Sequence, residues 1–149
     1  MKYLFPLFIV LFSISCQKKK IEEQAKKDDE ILKQYISDHN LNAVPTGTGL
    51  YYVIDNQGTG INPTKTSQVK IYYKGYFTDG SVFDECDSTG IILGLNQVID
   101  GWTEGIPYFK EGGNGKLLIP SALGYGPNGT QGIPKNSVLV FDIHLIHVY

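Results

Sequence analysis

The sequence predicts an α+β domain: a twisted antiparallel β-sheet wrapped on one short helix, preceded by a separate N-terminal helix. Three observations carry this. After Gly49, apolar residues recur at every second position in several short segments, separated by turns rich in Gly and Pro. Within that region a single segment, Val98 to Phe109, changes to the spacing of a helical turn. Ahead of it, residues 18–42 are dense in both charge signs and hold no Gly or Pro. Many strands with one short helix make a sheet packed on a helix.

The chain has 149 residues and 17 glycines, with a formal net charge of −2. Most of that length belongs to one domain, large enough to bury a core without staples. The near-neutral charge excludes a global basic field, so no nucleic-acid partner is expected. Cys16 and Cys86 are the two cysteines, too few for a disulfide framework.

At the start, Lys2 precedes an apolar run from Tyr3 to Ile14, broken only by Pro6 and Ser13. The run is shorter than the roughly 20 residues of a membrane-spanning helix. It has the length of the apolar stretch of a signal peptide. Ser15 and Cys16 follow, then an abrupt polar switch at Gln17-Lys18-Lys19-Lys20. This resembles a bacterial lipoprotein signal, with Ser13 standing where that family usually has Leu. The resemblance implies removal of residues 1–15 and lipidation of Cys16. It also implies a location in the cell envelope, anchored to a membrane and facing the periplasm or exterior. Acylation of Cys16 would leave Cys86 a free thiol. The alternative is an ordinary cleaved signal peptide with Cys16 incidental.

Residues 16–46 read as a charged helical stalk and linker. Ile31, Leu32, Tyr35 and Ile36 recur at helical spacing, which predicts an amphipathic helix over about Glu22 to His39. It serves as a spacer with one docked face, or its stripe packs on the domain or on a second copy. His39 reads as a surface residue near the helix end. Ala43 to Gly49 is a linker by composition, so the domain is placed at 47–149.

Within the domain, Leu50 to Asp55 is a first strand. Val69 to Phe77 alternates, with Val69, Ile71, Tyr73 and Phe77 on one face. Thr78-Asp79-Gly80 is a turn, and Ser81 to Asp84 continues extended. Ile91 to Leu93 is short and apolar. In Val98 to Phe109, Asp100 is placed to cap the first turn and Pro107 limits the helix. Gly115 to Pro120 is a strand, Gly124 to Asn136 a loop, and Val138 to Tyr149 a long final strand. On a regular strand His144 and His147 point to opposite faces and are poor co-ligands, so no metal site is expected. Gly112-Gly113 reads as turn chemistry, since no Lys-Ser/Thr pair opening a helix follows it.

The ordered motifs then point further. Tyr73-Lys74-Gly75, Asp79-Gly80 and Val82-Phe83-Asp84 come first. Val98-Ile99-Asp100-Gly101-Trp102 and Gly112-Gly113-Asn114-Gly115-Lys116-Leu117 follow. Ile119-Pro120, Tyr125-Gly126, Ile133-Pro134 and Leu139-Val140-Phe141-Asp142 complete the set. Over residues 50–149 the chain resembles FKBP-type peptidyl-prolyl cis/trans isomerases. The resemblance implies the FKBP-like fold and a proline pocket lined by Tyr73, Phe83, Asp84, Val98, Ile99, Trp102, Tyr125, Ile133 and Phe141. The indole of Trp102 would be the floor. The Ile99 N–H and the Tyr125 hydroxyl would hold ligand carbonyls, and Asp84 would support Tyr73.

It implies proline-containing segments of exported proteins as substrates, macrolide inhibitors as further ligands, and no cofactor. Thr89 and Ile91 depart from the family, where both positions often carry Phe, so one aromatic wall is reduced. Cys86, near the pocket rim, reads as a small rim residue. Two functions stay open beside each other: an isomerase that assists folding, and a non-catalytic chaperone or scaffold that grips proline-containing segments. A third reading makes the chain a subunit of an envelope assembly held through its helix.

Overall fold

The computed structural model describes the backbone of residues 7–149 and the side chains of residues 17–149. The expected signal segment and the thiol of Cys16 therefore lie outside the described side chains. Helix α1 runs over Leu7–Asp38, longer than the helix expected from Glu22. No Gly or Pro interrupts residues 7–38, so nothing in the backbone stops the helix between the apolar run and the charged stretch. Among the described residues, no helix is long and apolar enough to cross a membrane.

Seven strands follow: β1 Val44–Pro45, β2 Tyr51–Asn56, β3 Gln68–Tyr76, β4 Val82–Glu85, β5 Ile91–Gly94, β6 Asn114–Ile119 and β7 Leu139–Val148. Helix α2, Asp100–Gly105, lies between β5 and β6 and tightens into a 3-10 turn at Ile106–Tyr108. Pro107 occupies the first turn of that 3-10 segment. Asp100 does not cap α2: the capping position is Ile99, with no side-chain hydrogen bond, and Asp100 is the first helical residue.

The sheet order is β1-β2-β6-β7-β3-β4, and every pairing is antiparallel. β5 also pairs with β3. The free side of β3 is thus shared: Gln68–Ile71 face β5, and Lys74–Tyr76 face β4. Val44–Pro45, expected as linker, pair with Tyr51 and Tyr52.

One sheet face and α2 enclose the main core. Val69, Ile71, Tyr73, Leu117, Ile119, Phe141, Ile143 and Leu145 meet Trp102, Ile106 and Phe109 there. The alternation of β3 places Val69, Ile71, Tyr73 and Gly75 on this side. β7 departs from strict alternation. Lys70 pairs with His147 and Ile71 with Leu145, so a bulge lets in one extra residue at Ile146. Leu145 and Val148 are consequently both core residues. His144 and His147 lie opposite Tyr72 and Lys70 and share the outer face, contrary to the expectation for a regular strand. Among the described residues no group of three or more His, Cys, Asp or Glu could hold an ion. His147 Nδ1 instead lies 2.8 Å from Glu111 Oε2.

The opposite sheet face carries a second core under α1. Leu32 and Tyr35 of the helix are buried against Val53, Leu118, Val138 and Val140. Polar contacts frame this apolar seam. Tyr51 donates from its hydroxyl to Asp29 Oδ1 at 2.7 Å. Asp28, fully buried, accepts from Ser121. Of the readings open for the stalk, its stripe packs on the domain. His39 is exposed at the helix end, stacked on Tyr35 with ring centroids 4.0 Å apart.

Candidate functional site: an aromatic cavity over the short helix

Two glycines bring α2 onto the sheet. A Cβ on Gly101 would stand 2.5 Å from Ile119 Cγ2, and one on Gly105 would stand 2.6 Å from Leu117 Cδ2. Only hydrogen fits at either position, so the helix backbone rests directly on β6. Between these glycines, Trp102 is pinned and only 4% exposed. Its indole meets Tyr73 edge to face, with centroids 4.9 Å apart and planes at 82°. It meets Phe141 in the same way at 5.2 Å and 82°. Such edge-to-face pairs add about 0.5–1.5 kcal/mol each beyond the area they bury. The indole Nε1–H is buried with no hydrogen-bond partner among the described residues.

The wall comes from the edge of the sheet. Phe83, on β4, packs edge to face on Phe141 at 5.5 Å and leans on Phe77 at 5.0 Å. Gly75 makes this possible. A Cβ there would stand 2.7 Å from Phe141 Cε1 and from both Phe83 Cε2 and Cζ. The glycine of the Tyr-Lys-Gly motif is therefore the space into which two rings close.

Polar groups border these aromatic rings. The hydroxyl of Tyr73 donates to Asp84 Oδ2 at 2.7 Å. Burial, followed by the Asp84 bond and charge, pushes the Tyr73 phenol well above its ordinary range. Tyr125 stands at the rim, 39% exposed, and burial with the nearby Asp84 charge also raises its phenol. Both tyrosines are neutral hydroxyl donors at neutral pH. Ile99 precedes α2 in an extended conformation (φ −61°, ψ 148°). Its carbonyl accepts from the Trp102 and Thr103 amides, while its own N–H finds no acceptor among the described residues.

All nine residues singled out from the sequence, Tyr73, Phe83, Asp84, Val98, Ile99, Trp102, Tyr125, Ile133 and Phe141, line one cavity of about 530 Å³. Ile91 lines it too, as an aliphatic wall, whereas Thr89 does not. Sequence reasoning missed Leu93, Gln97, Thr130 and Gln131. Gln97 adjoins the Val98-Ile99 motif, which was its one available signal. Thr130 and Gln131 sit in a loop whose path, set by the Thr130–Ile133 bridge, has no periodic trace. Cys86 lies just off the cavity. Its amide donates to Tyr73 O, and Tyr73 N–H donates to its sulfur, both at 3.2 Å. The thiol serves the backbone of β3 beneath the pocket.

The size and lining suit a small amphipathic ligand: an aromatic floor and walls, bordered by the polar side chains of Asp84, Gln97, Tyr125, Thr130 and Gln131. Comparison with known proteins assigns the family. Residues 59–146 match the model of the family described as FKBP-type peptidyl-prolyl cis-trans isomerase. The chain is 39% identical over 132 residues to the FKBP-type peptidyl-prolyl cis-trans isomerase FkpA of Aeromonas hydrophila, covering 87% of this chain and 48% of that one. It is 38% identical over 133 residues to a Legionella longbeachae protein named outer membrane protein MIP, covering 87% and 56%. The chain thus spans about half the length of the curated relatives it matches. Among solved structures, FkpA from Escherichia coli superposes with a TM-score of 0.72 at 34% identity, over 99% of this chain and 73% of that one. A Pseudomonas syringae peptidyl-prolyl cis-trans isomerase superposes with a TM-score of 0.75 at 28% identity, over 85% and 94%. The cavity, the glycines that shape it and these likenesses converge: the chain belongs to the FKBP-type peptidyl-prolyl cis-trans isomerase family.

Proposed function

We propose that this protein catalyses cis/trans isomerisation of X-Pro bonds in exported proteins as they fold. The observation that carries the reading is the floor and walls of the cavity: Trp102, Tyr73, Phe83 and Phe141 held edge to face around a space of about 530 Å³. Rotation about a peptide bond has a barrier of about 18–20 kcal/mol, because it breaks amide resonance. X-Pro bonds populate both isomers and exchange in tens to hundreds of seconds. The planar amide is more charge-separated than the twisted one. An apolar aromatic cleft therefore destabilises the ground state relative to the transition state.

Each residue has a part in this reading. The proline ring lies on the indole of Trp102, with Phe83, Phe141, Val98 and Ile133 around it. The free N–H of Ile99 and the hydroxyl of Tyr125 hold carbonyls flanking the rotating bond. Fixed donors that fit the twisted amide better than the planar one lower the barrier, and each 1.36 kcal/mol is tenfold in rate. Asp84 holds the Tyr73 hydroxyl, and so the ring edge against Trp102. No covalent bond forms or breaks, so the reaction calls for no nucleophile. Macrolide inhibitors fall to the same cavity as competing ligands.

The address follows from the N-terminus. Residues 1–15 act as a lipoprotein signal, Cys16 carries the lipid, and residues 16–46 connect the membrane to the domain at 47–149. The protein then faces the periplasm or exterior of the envelope. Intact mass of the mature chain tests this: acyl groups on an N-terminal Cys16, absent with release from membranes in Cys16→Ser, are expected. An unmodified N-terminus would remove the anchor.

The activity is tested by following cis-to-trans conversion of short X-Pro peptides by the whole chain beside a folded Trp102→Ala, Tyr125→Ala variant. Acceleration lost in the variant is expected. No acceleration for any residue before proline would leave the non-catalytic binding module, a reading that the aliphatic wall at Ile91 favours.

A further inference from the structure

The N-terminal helix sends one buried carboxylate, Asp28, to the turn that leads into Tyr125. Asp28 on α1 is fully buried, yet far from the cavity in sequence and absent from its lining. Both of its oxygens are occupied. Oδ1 accepts from Gln24 Nε2 at 2.7 Å on the same helix. Oδ2 accepts from the backbone N–H of Ser121 at 2.9 Å and from its hydroxyl at 2.6 Å.

Ser121 is the residue on which the Tyr125 turn is built. It opens a 3-10 turn, Ser121–Leu123. Its carbonyl accepts from Gly124 N–H at 3.0 Å and from Gly126 N–H at 2.8 Å. Those are the two residues on either side of Tyr125. Gly126, in the left-handed region at φ 62°, returns the chain, and its carbonyl accepts from Asn136 N–H at 2.8 Å, closing the loop. The donors of Ser121 are thus fixed by α1, and its acceptor fixes both flanks of Tyr125.

From this geometry we infer that Asp28 is a positioning residue for the pocket. By clamping Ser121 it holds the rim hydroxyl of Tyr125 where it meets a substrate carbonyl, so that the docked N-terminal helix tunes the site. The inference rests on the isomerase reading of that cavity. One carboxylate oxygen that accepts from both the N–H and the hydroxyl of Ser121 holds that residue by two charge-assisted bonds. Small misplacements of a positioned group are costly to rate. Removing Asp28 leaves a buried N–H and hydroxyl without partners, and the turn must shift to reach water.

The test uses the whole chain and four substitutions: Asp28→Ala, Asp28→Asn, Ser121→Ala and Tyr125→Phe, at a temperature where each is folded. Asp28→Ala is expected to lower kcat/KM by about tenfold, in keeping with the sensitivity of rate to placement. Asp28→Asn keeps an acceptor oxygen and should restore most of that loss. Ser121→Ala, which keeps its N–H bond, should fall between them. The decisive arm is the double variant. If Asp28 acts through Tyr125, Asp28→Ala should cost less than about twofold once Tyr125→Phe is present, because effects on one network do not add. A full additive loss there, or no loss in Asp28→Ala of an active parent, overturns the inference. Amide hydrogen exchange decides it independently of catalysis. Residues 121–126 should exchange faster in Asp28→Ala while β3 and β7 do not, and unchanged protection of that turn overturns the positioning role. An inactive parent with a selectively loosened turn would sink the isomerase reading and leave the clamp standing.

Discussion

The hydroxyl of Tyr73 rests 2.7 Å from Oδ2 of Asp84, joining the middle of the longest-paired strand to the cavity edge. The bond settles the rotation of a ring that meets Trp102 at near right angles. The carboxylate of Asp84, itself exposed, gives the hydroxyl of the buried Tyr73 ring its acceptor.

That bond predicts an alkaline limit to stability. The Tyr73 phenol is raised in the fold, by burial first and then by Asp84. Above about pH 10 the unfolded chain loses this proton while the folded one keeps it. The unfolded state then binds fewer protons, and stability falls as pH rises. The stabilisation is complete below about pH 10 and declines above it. Denaturant midpoints from pH 7 to 11 should show this decline, and Tyr73→Phe should flatten it. An unchanged slope in the variant would assign the effect to other tyrosines. Tyr76, raised mainly by burial, is the next candidate.

Gly75→Ala should damage the site from behind. Its Cβ would press into Phe83 and Phe141 at 2.7 Å. Overpacking of this kind costs about 1–3 kcal/mol. A lower unfolding midpoint with at least a tenfold weaker pocket ligand is expected, since the rings that must move are the walls. Unaltered affinity would show that the wall yields elsewhere.

Ile91→Phe should act in the opposite sense. Ile91 lines the cavity and is 38% exposed, so a larger ring has room. It would add apolar contact worth up to about 1 kcal/mol, roughly fivefold in affinity for an apolar ligand. Titration of a macrolide or an apolar-Pro peptide checks this, and weaker binding would mean that the aliphatic wall shapes specificity by fit.

Leu32→Ala tests the docking of α1. Leu32 is wholly buried on the outer sheet face with Val53, Leu118 and Val140. A buried Leu→Ala change costs about 2–5 kcal/mol. Thermal unfolding of the variant should shift accordingly. A fragment starting at Val44 would expose the same seam and should be less stable and more prone to associate. A fragment as stable as the whole chain would mean that the helix adds no net stability.

Much of this protein was present in its order of residues. Alternation placed Val69, Ile71 and Tyr73 on one face of β3. The resemblance carried by the spaced motifs named nine of the residues that line the cavity, and a change of period placed Trp102 on a short helix. These are local rules: side-chain direction follows the backbone repeat, and a glycine motif marks where backbones or rings must touch. Other features depended on contacts between distant segments. Val140, near the start of β7, is buried against α1 on the face opposite the main core, a partner that no repeat within its own strand names. The bulge at Ile146 moved His147 onto the face of His144, because pairing with Lys70 and Ile71 selects the register. Asp28 carried no signal among the charges of the stalk, and its burial arises only when the helix meets Ser121, 93 residues away. Periodicity reports what a residue does to its own backbone. The partner that will cover a face, and the residue that will accept a buried hydrogen bond, are decided when the chain closes on itself.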